Sequence, residues 1–307
     1  MMSSLALAGR SLRHAGLDAV REFAYRTYFA ARPRTGSPDP VLDADWDLLV
    51  VLDACRADVF REVVRDGDYD SLSADGTAVS PGSTSREWLA SVFGDASDDA
   101  VEDVTYVTGN PYTTRVLDAD RFAAVDDVWQ RHWDDDLGTI PPRPLTNAAI
   151  RAGRQQSDGR LVVHYMQPHF PSVVAEDNHG GGVALDDWGD QPMSVWEELR
   201  FGKRRPEAVW AAYRRNLEAV LDDVELLLEN VDAESAVVTA DHGNAFGEYH
   251  IYGHPGGVGI PALREVPWCE TTAVDDATHD PPAEDDADGD ADEDVIDDRL
   301  ESLGYKV

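Results

Sequence analysis

An α/β fold with a mainly parallel central sheet is what the 307-residue sequence predicts. Three observations carry the prediction. Residues Leu48 to Leu52, Leu161 to Met166 and Ala236 to Ala240 are short apolar runs, most of them rich in β-branched residues, the pattern of strands buried on both faces. Each run ends in polar residues: Asp53, then His169 just beyond Gln167 and Pro168, then Asp241 with His242 and Gly243. Carboxyl ends of parallel strands are where α/β sheets build sites. Finally, Pro206 opens a helix in which Val209, Tyr213, Leu217, Val220, Val224, Leu227 and Leu228 recur at helical spacing, a stripe made for packing on a sheet.

In chain order, residues 1–44 read as an N-terminal helical segment, 45–273 as one catalytic domain, 274–295 as an acidic disordered linker and 296–307 as a short helical tail. Residues 10–32 carry Arg10, Arg13, Arg21, Arg26 and Arg32 among Leu12, Leu17, Val20, Phe23 and Tyr28. That is a basic amphipathic helix, expected to pack with its arginines solvated, with peripheral membrane contact as the alternative. The start of the chain lacks the pattern of a secretory leader, and no run of roughly eighteen apolar residues predicts a membrane span. Cys55 and Cys269, far apart in sequence, read as reduced thiols, and a cytoplasmic location is expected.

The net charge is −34 and the basic residues are almost all arginine, with lysine only at Lys203 and Lys306. Surplus carboxylate of this kind is expected of a halophilic protein, because high salt screens the self-repulsion. It also disfavours nucleic acid as a partner, since phosphate backbones are repelled.

Asp53 follows its strand and precedes a helical pattern over residues 54–65, so it either caps that helix or faces a site. Pro81 and Gly82 mark a turn, and Glu87 to Phe93 is a predicted helix, so Ser83, Thr84 and Ser85 stand at its start. Hydroxyls there serve as caps or as a nucleophile, with Arg86 beside them to hold an anionic group. A strand over Val104 to Thr108 leads to Gly109 and Asn110, while residues 116–140 show no strong pattern. His164, inside its strand, reads as a satisfied core histidine, and His169 is the better candidate. Residues 174–205 read as a lid or specificity loop, and His254, with His250 behind it, as a group exposed to substrate.

The ordered set of strand-Asp53, the Gly82 to Ser85 turn, Pro168-His169, Thr239 to Gly243, Gly253-His254 and Glu265 to Pro267 resembles the alkaline phosphatase superfamily, in its sulfatase-like branch. The resemblance covers roughly residues 46–270. It implies an αβα sandwich, with a divalent metal held by Asp53, Thr84, Asp241 and His242. It further implies Thr84 as nucleophile, by similarity to the Gly-x-Thr-Ser turn of phosphoglycol transferases. Arg86, Asn110, His169 and His254 fall to substrate binding, and His254 also to protonation of the leaving group. Two carboxylates, an imidazole and a hydroxyl favour Mn²⁺ or Zn²⁺ over Mg²⁺ or Ca²⁺. Cys55 is followed by Arg56, Ala57, Asp58 and Val59, which lacks the arginine of the formylglycine motif, and Ala54 replaces the second of the paired aspartates of sulfatases. The expected activity is therefore hydrolysis or transfer of phosphate esters on a small-molecule, glycan-linked or lipid-linked substrate. The alternatives are a sulfuric ester hydrolase without formylglycine and a non-catalytic protein that binds an anionic glycan or a partner.

Overall fold

The computed structural model describes residues 17–156, 159–174, 194–283 and 292–303. Its strands are β1 (Leu48–Asp53), β2 (Thr77–Val79), β3 (Val104–Thr108), β4 (Ala124–Asp127), β5 (Arg160–Pro168), β6 (Ala233–Ala240), β7 (Ala245–Phe246), β8 (Tyr252–Gly253) and β9 (Glu265–Ala273). The principal helices are α1 (Leu17–Ala31), α2 (Ala57–Asp66), α3 (Ser85–Leu89), α4 (Pro142–Gln155), α5 (Val195–Arg200), α6 (Pro206–Leu228) and α7 (Glu293–Ser302).

The three apolar runs of the sequence become the three central strands. β1 is buried along its whole length and pairs in parallel with β5, Leu48 opposite Leu161, and with β6, Leu48 opposite Ala236. The seven-stranded sheet has the order β2-β9-β6-β1-β5-β3-β4, with β9 antiparallel to both β6 and β2. Because side chains alternate along a strand, each central strand feeds two cores. Leu48, Val50 and Leu52 join Val163 and Val238 beneath Val59, Leu145, Leu217 and Val220 of α2, α4 and α6. Leu49 and Val51 join Val162 and Val237 on the other face, under Trp46, Trp88, Phe93 and Tyr106. Helices on one face and the α3 region on the other make the expected αβα sandwich.

Trp88 anchors the second face. It is buried, edge-on to Phe93 at 5.6 Å and edge-on to the His164 ring at 5.7 Å. Trp88→Ala is expected to cost about 3–5 kcal/mol by leaving an indole-sized void, measurable by denaturant unfolding, with α3 and its neighbours losing their seat.

Some expectations change. The helix predicted from Glu87 begins at Ser85 and passes into a π turn over Ala90–Gly94. Residues 116–140 contain the edge strand β4, and its reading Ala-Val-Asp-Asp has too little apolar content to announce itself. The stretch from Val274 to Ala283, expected to be disordered, is hydrogen-bonded. The Val274 amide donates to Leu228, the His279 amide to Asn230 Oδ1, and the His279 ring pairs with Asn147. Short polar bonds to α4 and α6 hold a segment whose composition lacks the apolar residues that pattern reading relies on. The rest of the acidic linker, 284–291, and 175–193 of the expected lid lie outside the described residues. Ile296, Leu300 and Leu303 are buried, so the C-terminal helix packs on the domain.

Candidate active and metal site

Asp53 stands at the carboxyl end of β1 and Asp241 just past that of β6, so parallel pairing of these strands brings the two carboxylates together. The backbone turns sharply at both. Ala54 adopts the left-handed region at φ 61°, which lets its amide donate to Asp241 Oδ1 at 2.9 Å. Gly243 sits so close to Ala262 that a Cβ would lie 2.4 Å from its carbonyl oxygen. Any side chain there would displace the His242 turn.

Each carboxylate has one oxygen tied and one oxygen turned inward. Asp53 Oδ2 accepts from Asn110 Nδ2 at 2.9 Å and from Ser85 Oγ at 3.3 Å, whereas its Oδ1 has no hydrogen-bond partner. Asp241 Oδ1 accepts from the amides of Ala54 and His242, whereas its Oδ2 also has none. His242 Nδ1 donates to the Gly243 carbonyl at 2.8 Å, which leaves a lone pair on Nε2. That Nε2 lies 3.6 Å from both Asp53 Oδ1 and Asp241 Oδ2. His164, fixed at Nδ1 by the Tyr106 hydroxyl at 2.9 Å, turns its unpartnered Nε2 to within 3.7 Å of Asp241 Oδ2.

Fully buried lone pairs converging in this way are costly unless a cation joins them. The ligand atoms of Asp53, His164 and Asp241 all lie within 4.8 Å of one another, so the donor set fits a metal ion. Two carboxylates and two imidazoles suit Zn²⁺ or Mn²⁺ best. Electrostatics without the ion point the same way. Burial, reinforced by Asp241, pushes the Asp53 carboxyl well above the usual range. Asp241, despite its burial, is held low by the His242 and His164 rings.

The hydroxyl that hydrogen-bonds into this cluster is that of Ser85. Ser85 Oγ is buried and lies 3.4 Å from His242 Nε2 as well as 3.3 Å from Asp53 Oδ2. Thr84 Oγ1 accepts from the Glu87 amide at 3.2 Å and so caps α3. Ser83 Oγ donates to the Pro255 carbonyl, pinning the turn to the loop that carries His254. Gly82 lets this turn fold back on α3, since a Cβ there would lie 2.7 Å from the Trp88 nitrogen.

His169 and His254 meet at 2.9 Å between their Nε2 atoms, and the His254 ring stacks on His242 at 4.8 Å. Burial, then the neighbouring His242 ring, lowers His169 to about 4, and the same causes lower His254 well below its ordinary value. Both rings are thus neutral at pH 7, and the short contact requires one Nε2 to carry the proton that the other accepts. Asn216 on α6 holds this corner by donating to the His169 carbonyl at 3.0 Å.

Other expectations move. Arg86 is exposed on the first turn of α3 and takes no part in the buried cluster. Asn110, expected to touch substrate, is buried and orients Asp53. His164, expected to be a satisfied core histidine, belongs to the ligand cluster, because packing fixes only its Nδ1 side. His250 stacks against Tyr25 of α1, on the outer side of its loop. Cys55, buried and with its thiol pushed up first by burial and then by Asp58, is no nucleophile.

No protein-family model and no curated protein sequence matches the chain. Solved structures do. The soluble domain of lipooligosaccharide phosphoethanolamine transferase A from Neisseria meningitidis superposes with a TM-score of 0.51 at 14% identity, over 74% of this chain and 75% of that one. The integral membrane form of the same transferase gives 0.52 at 14% identity, over 76% of this chain and 48% of that one, so this chain spans about half its length. The fold is the alkaline phosphatase-like αβα sandwich shared with these transferase domains.

Proposed function

We propose that the chain is a metal-dependent phosphoester hydrolase or phosphoryl-type transferase with Ser85 as its nucleophile. The observation that carries this reading is the Ser85 hydroxyl, buried at the start of α3 and hydrogen-bonded to Asp53 beside converging, unpartnered ligand atoms. The fold shared with a phosphoethanolamine transferase supports it.

Asp53, Asp241, His242 and His164 would hold the metal. A divalent cation in that position lowers the pKa of a neighbouring hydroxyl and offsets charge on a phosphoryl oxygen. Asp53 Oδ2 is placed to accept the Ser85 proton as Oγ attacks phosphorus in line, giving a covalent phosphoserine and an alkoxide leaving group. The Nε2–H that the neutral His169–His254 pair carries is placed to hydrogen-bond that alkoxide, and solvent supplies the proton with which the alcohol leaves. Arg86, exposed one residue beyond Ser85, adds positive charge for an anionic substrate approaching a protein of net charge −34. Water or a second hydroxyl then takes the phosphoryl group from Ser85.

The test is a paired rate measurement on aryl phosphate, aryl phosphate diester and aryl sulfate with Mn²⁺ or Zn²⁺ supplied. Phosphate or diester turnover at least roughly a hundredfold above sulfate supports the reading. Sulfate preference replaces it with the sulfuric ester reading, and no turnover of any ester with metal bound leaves a binding protein.

A further inference from the structure

Among the described residues, helix α1 is anchored by one side and bare on the other. On the inner side Phe29 enters a small core with Ile251, Val258, Ile260 and Leu263, and the buried Glu22 pairs with Arg26 and with Arg200 of α5. On the outer side Val20, Phe23, Ala24, Thr27, Tyr28 and Ala31 follow one another at helical spacing, all exposed. Val20 is 50%, Phe23 73% and Tyr28 50% accessible. A phenyl ring this open is not a packing residue, and the run forms a continuous apolar strip.

The charge around the strip is opposite to that of the protein. From Ala19 to Gly36 the only carboxylate is the buried Glu22, against Arg21, Arg26, Arg32 and Arg34. The Glu22–Arg200 pair joins the inner side of this helix to the segment Leu199 to Pro206, where Arg204 pairs with Glu198 and Lys203 and Arg205 are exposed. In a chain with 60 acidic and 26 basic residues, this concentration of positive charge is a strong local inversion. An apolar strip flanked by arginines fits an anionic lipid surface, where rings enter the interface and guanidinium groups meet the headgroups. Among the described residues no helix is long and apolar enough to cross a membrane, so contact of this kind would lay the helix along the bilayer surface.

We propose that α1 and the Leu199–Pro206 segment form a docking surface for an anionic lipid bilayer. Its position gives the docking a purpose that rests on the phosphoester reading. Arg34 donates from its amide to Gly259, Phe29 packs on Tyr249 at 4.7 Å, and Trp196 of α5 lies against Gly253 next to His254. Helix α1 and helix α5, from whose end the Leu199–Pro206 segment continues, therefore flank the loop that carries His254, and docking presents the site to an ester borne on a lipid. The remaining acids repel the same membrane, but only those within about 8 Å of it count at ~0.15 M salt.

The test is co-sedimentation of the full chain with phosphatidylcholine vesicles containing roughly one third phosphatidylglycerol, and with phosphatidylcholine alone, at about 0.15 M salt. Wild type is expected to pellet with the anionic vesicles only. The double variant Phe23→Ser, Tyr28→Ser is expected to bind about tenfold or more weakly, with unchanged melting temperature and unchanged turnover of a soluble aryl phosphate. Failure of wild type to pellet, or equal pelleting of the variant, overturns the proposal. So does a drop in melting temperature, which means residues 1–16 cover the strip, or the loss of a light-scattering dimer, which means a second copy does. An inactive protein that still binds vesicles keeps the docking and removes only the phosphoester reading.

Discussion

Ser85→Ala is expected to lower turnover of an aryl phosphate by roughly a thousandfold to a millionfold, the range for loss of an activated nucleophile. The same change should abolish a trapped phosphoryl adduct on the peptide that carries residues 83–86, read by mass spectrometry after acid quench. Thr84→Ala is the paired control. It removes the cap on α3, worth about 1 kcal/mol, and is expected to lower turnover by less than about tenfold, because the α3 start loosens while the reacting oxygen stays. The asymmetry follows from backbone geometry. Thr84 is extended, with φ −146° and ψ 155°, and points its hydroxyl along the helix axis at the Glu87 amide. Ser85, one residue on, is the first helical residue and is turned toward Asp53 and His242. If Thr84→Ala were the inactive variant and Ser85→Ala the active one, the nucleophile would be Thr84.

Asp241→Asn is expected to abolish stoichiometric metal and, with it, at least about a hundredfold of turnover, the scale for removing one main electrostatic element of a site. Asparagine keeps an oxygen for the amides of Ala54 and His242, at 2.9 and 2.7 Å, so the turn survives while the charge and the inward oxygen go. Elemental analysis gives the metal content. Thermal unfolding gives a second readout independent of activity. Mn²⁺ or Zn²⁺ at a hundredfold excess over its dissociation constant should stabilise wild type by about 2.7 kcal/mol and the variant by nothing measurable. Equal metal content and equal thermal gain in both proteins would show that the ion sits elsewhere. Asn110 can be read in the same assay, since it orients Asp53 and contributes no ligand atom to the cluster.

Much of this was legible in the sequence for a simple reason. Strands buried on both faces leave continuous apolar runs, and the polar residues that end them are visible without knowing how the strands pair. Asp53, His169, Asp241 and His242 are legible on that ground, whereas His254, between Gly253 and Pro255, follows no apolar run. Which hydroxyl hydrogen-bonds to Asp53 was not, because it depends on which residue is the last extended one before α3, and helix starts are blurred in sequence by one or two positions. His164 was hidden by its own surroundings. A histidine among Leu161, Val162, Val163 and Tyr165 looks like core, and only the register placing it in the strand beside β1 and β3 shows that one nitrogen faces Asp241. Residues 10–32 announce an amphipathic helix, and α1 does pack through Phe29 with Arg21, Arg26 and Arg32 exposed, but the apolar strip beside those arginines has no signature of its own in the sequence. The edge strands β2 and β4 were silent because short strands at a sheet margin carry too few buried residues to set a period.

The pairing of β1 with β5 and β6 has a consequence for how the chain reaches this structure. Neither partner is near β1 in sequence, and both contacts are parallel, so each needs a long crossover to close before a single ladder bond forms. Chains of such topology cross their rate-limiting barrier slowly and expose Val-rich segments while they do so. A population of half-formed molecules that all carry the same large negative charge repels itself. The acidic surface is thus expected to act before the native state exists, keeping unpaired central strands of different molecules apart until the sheet has closed over them.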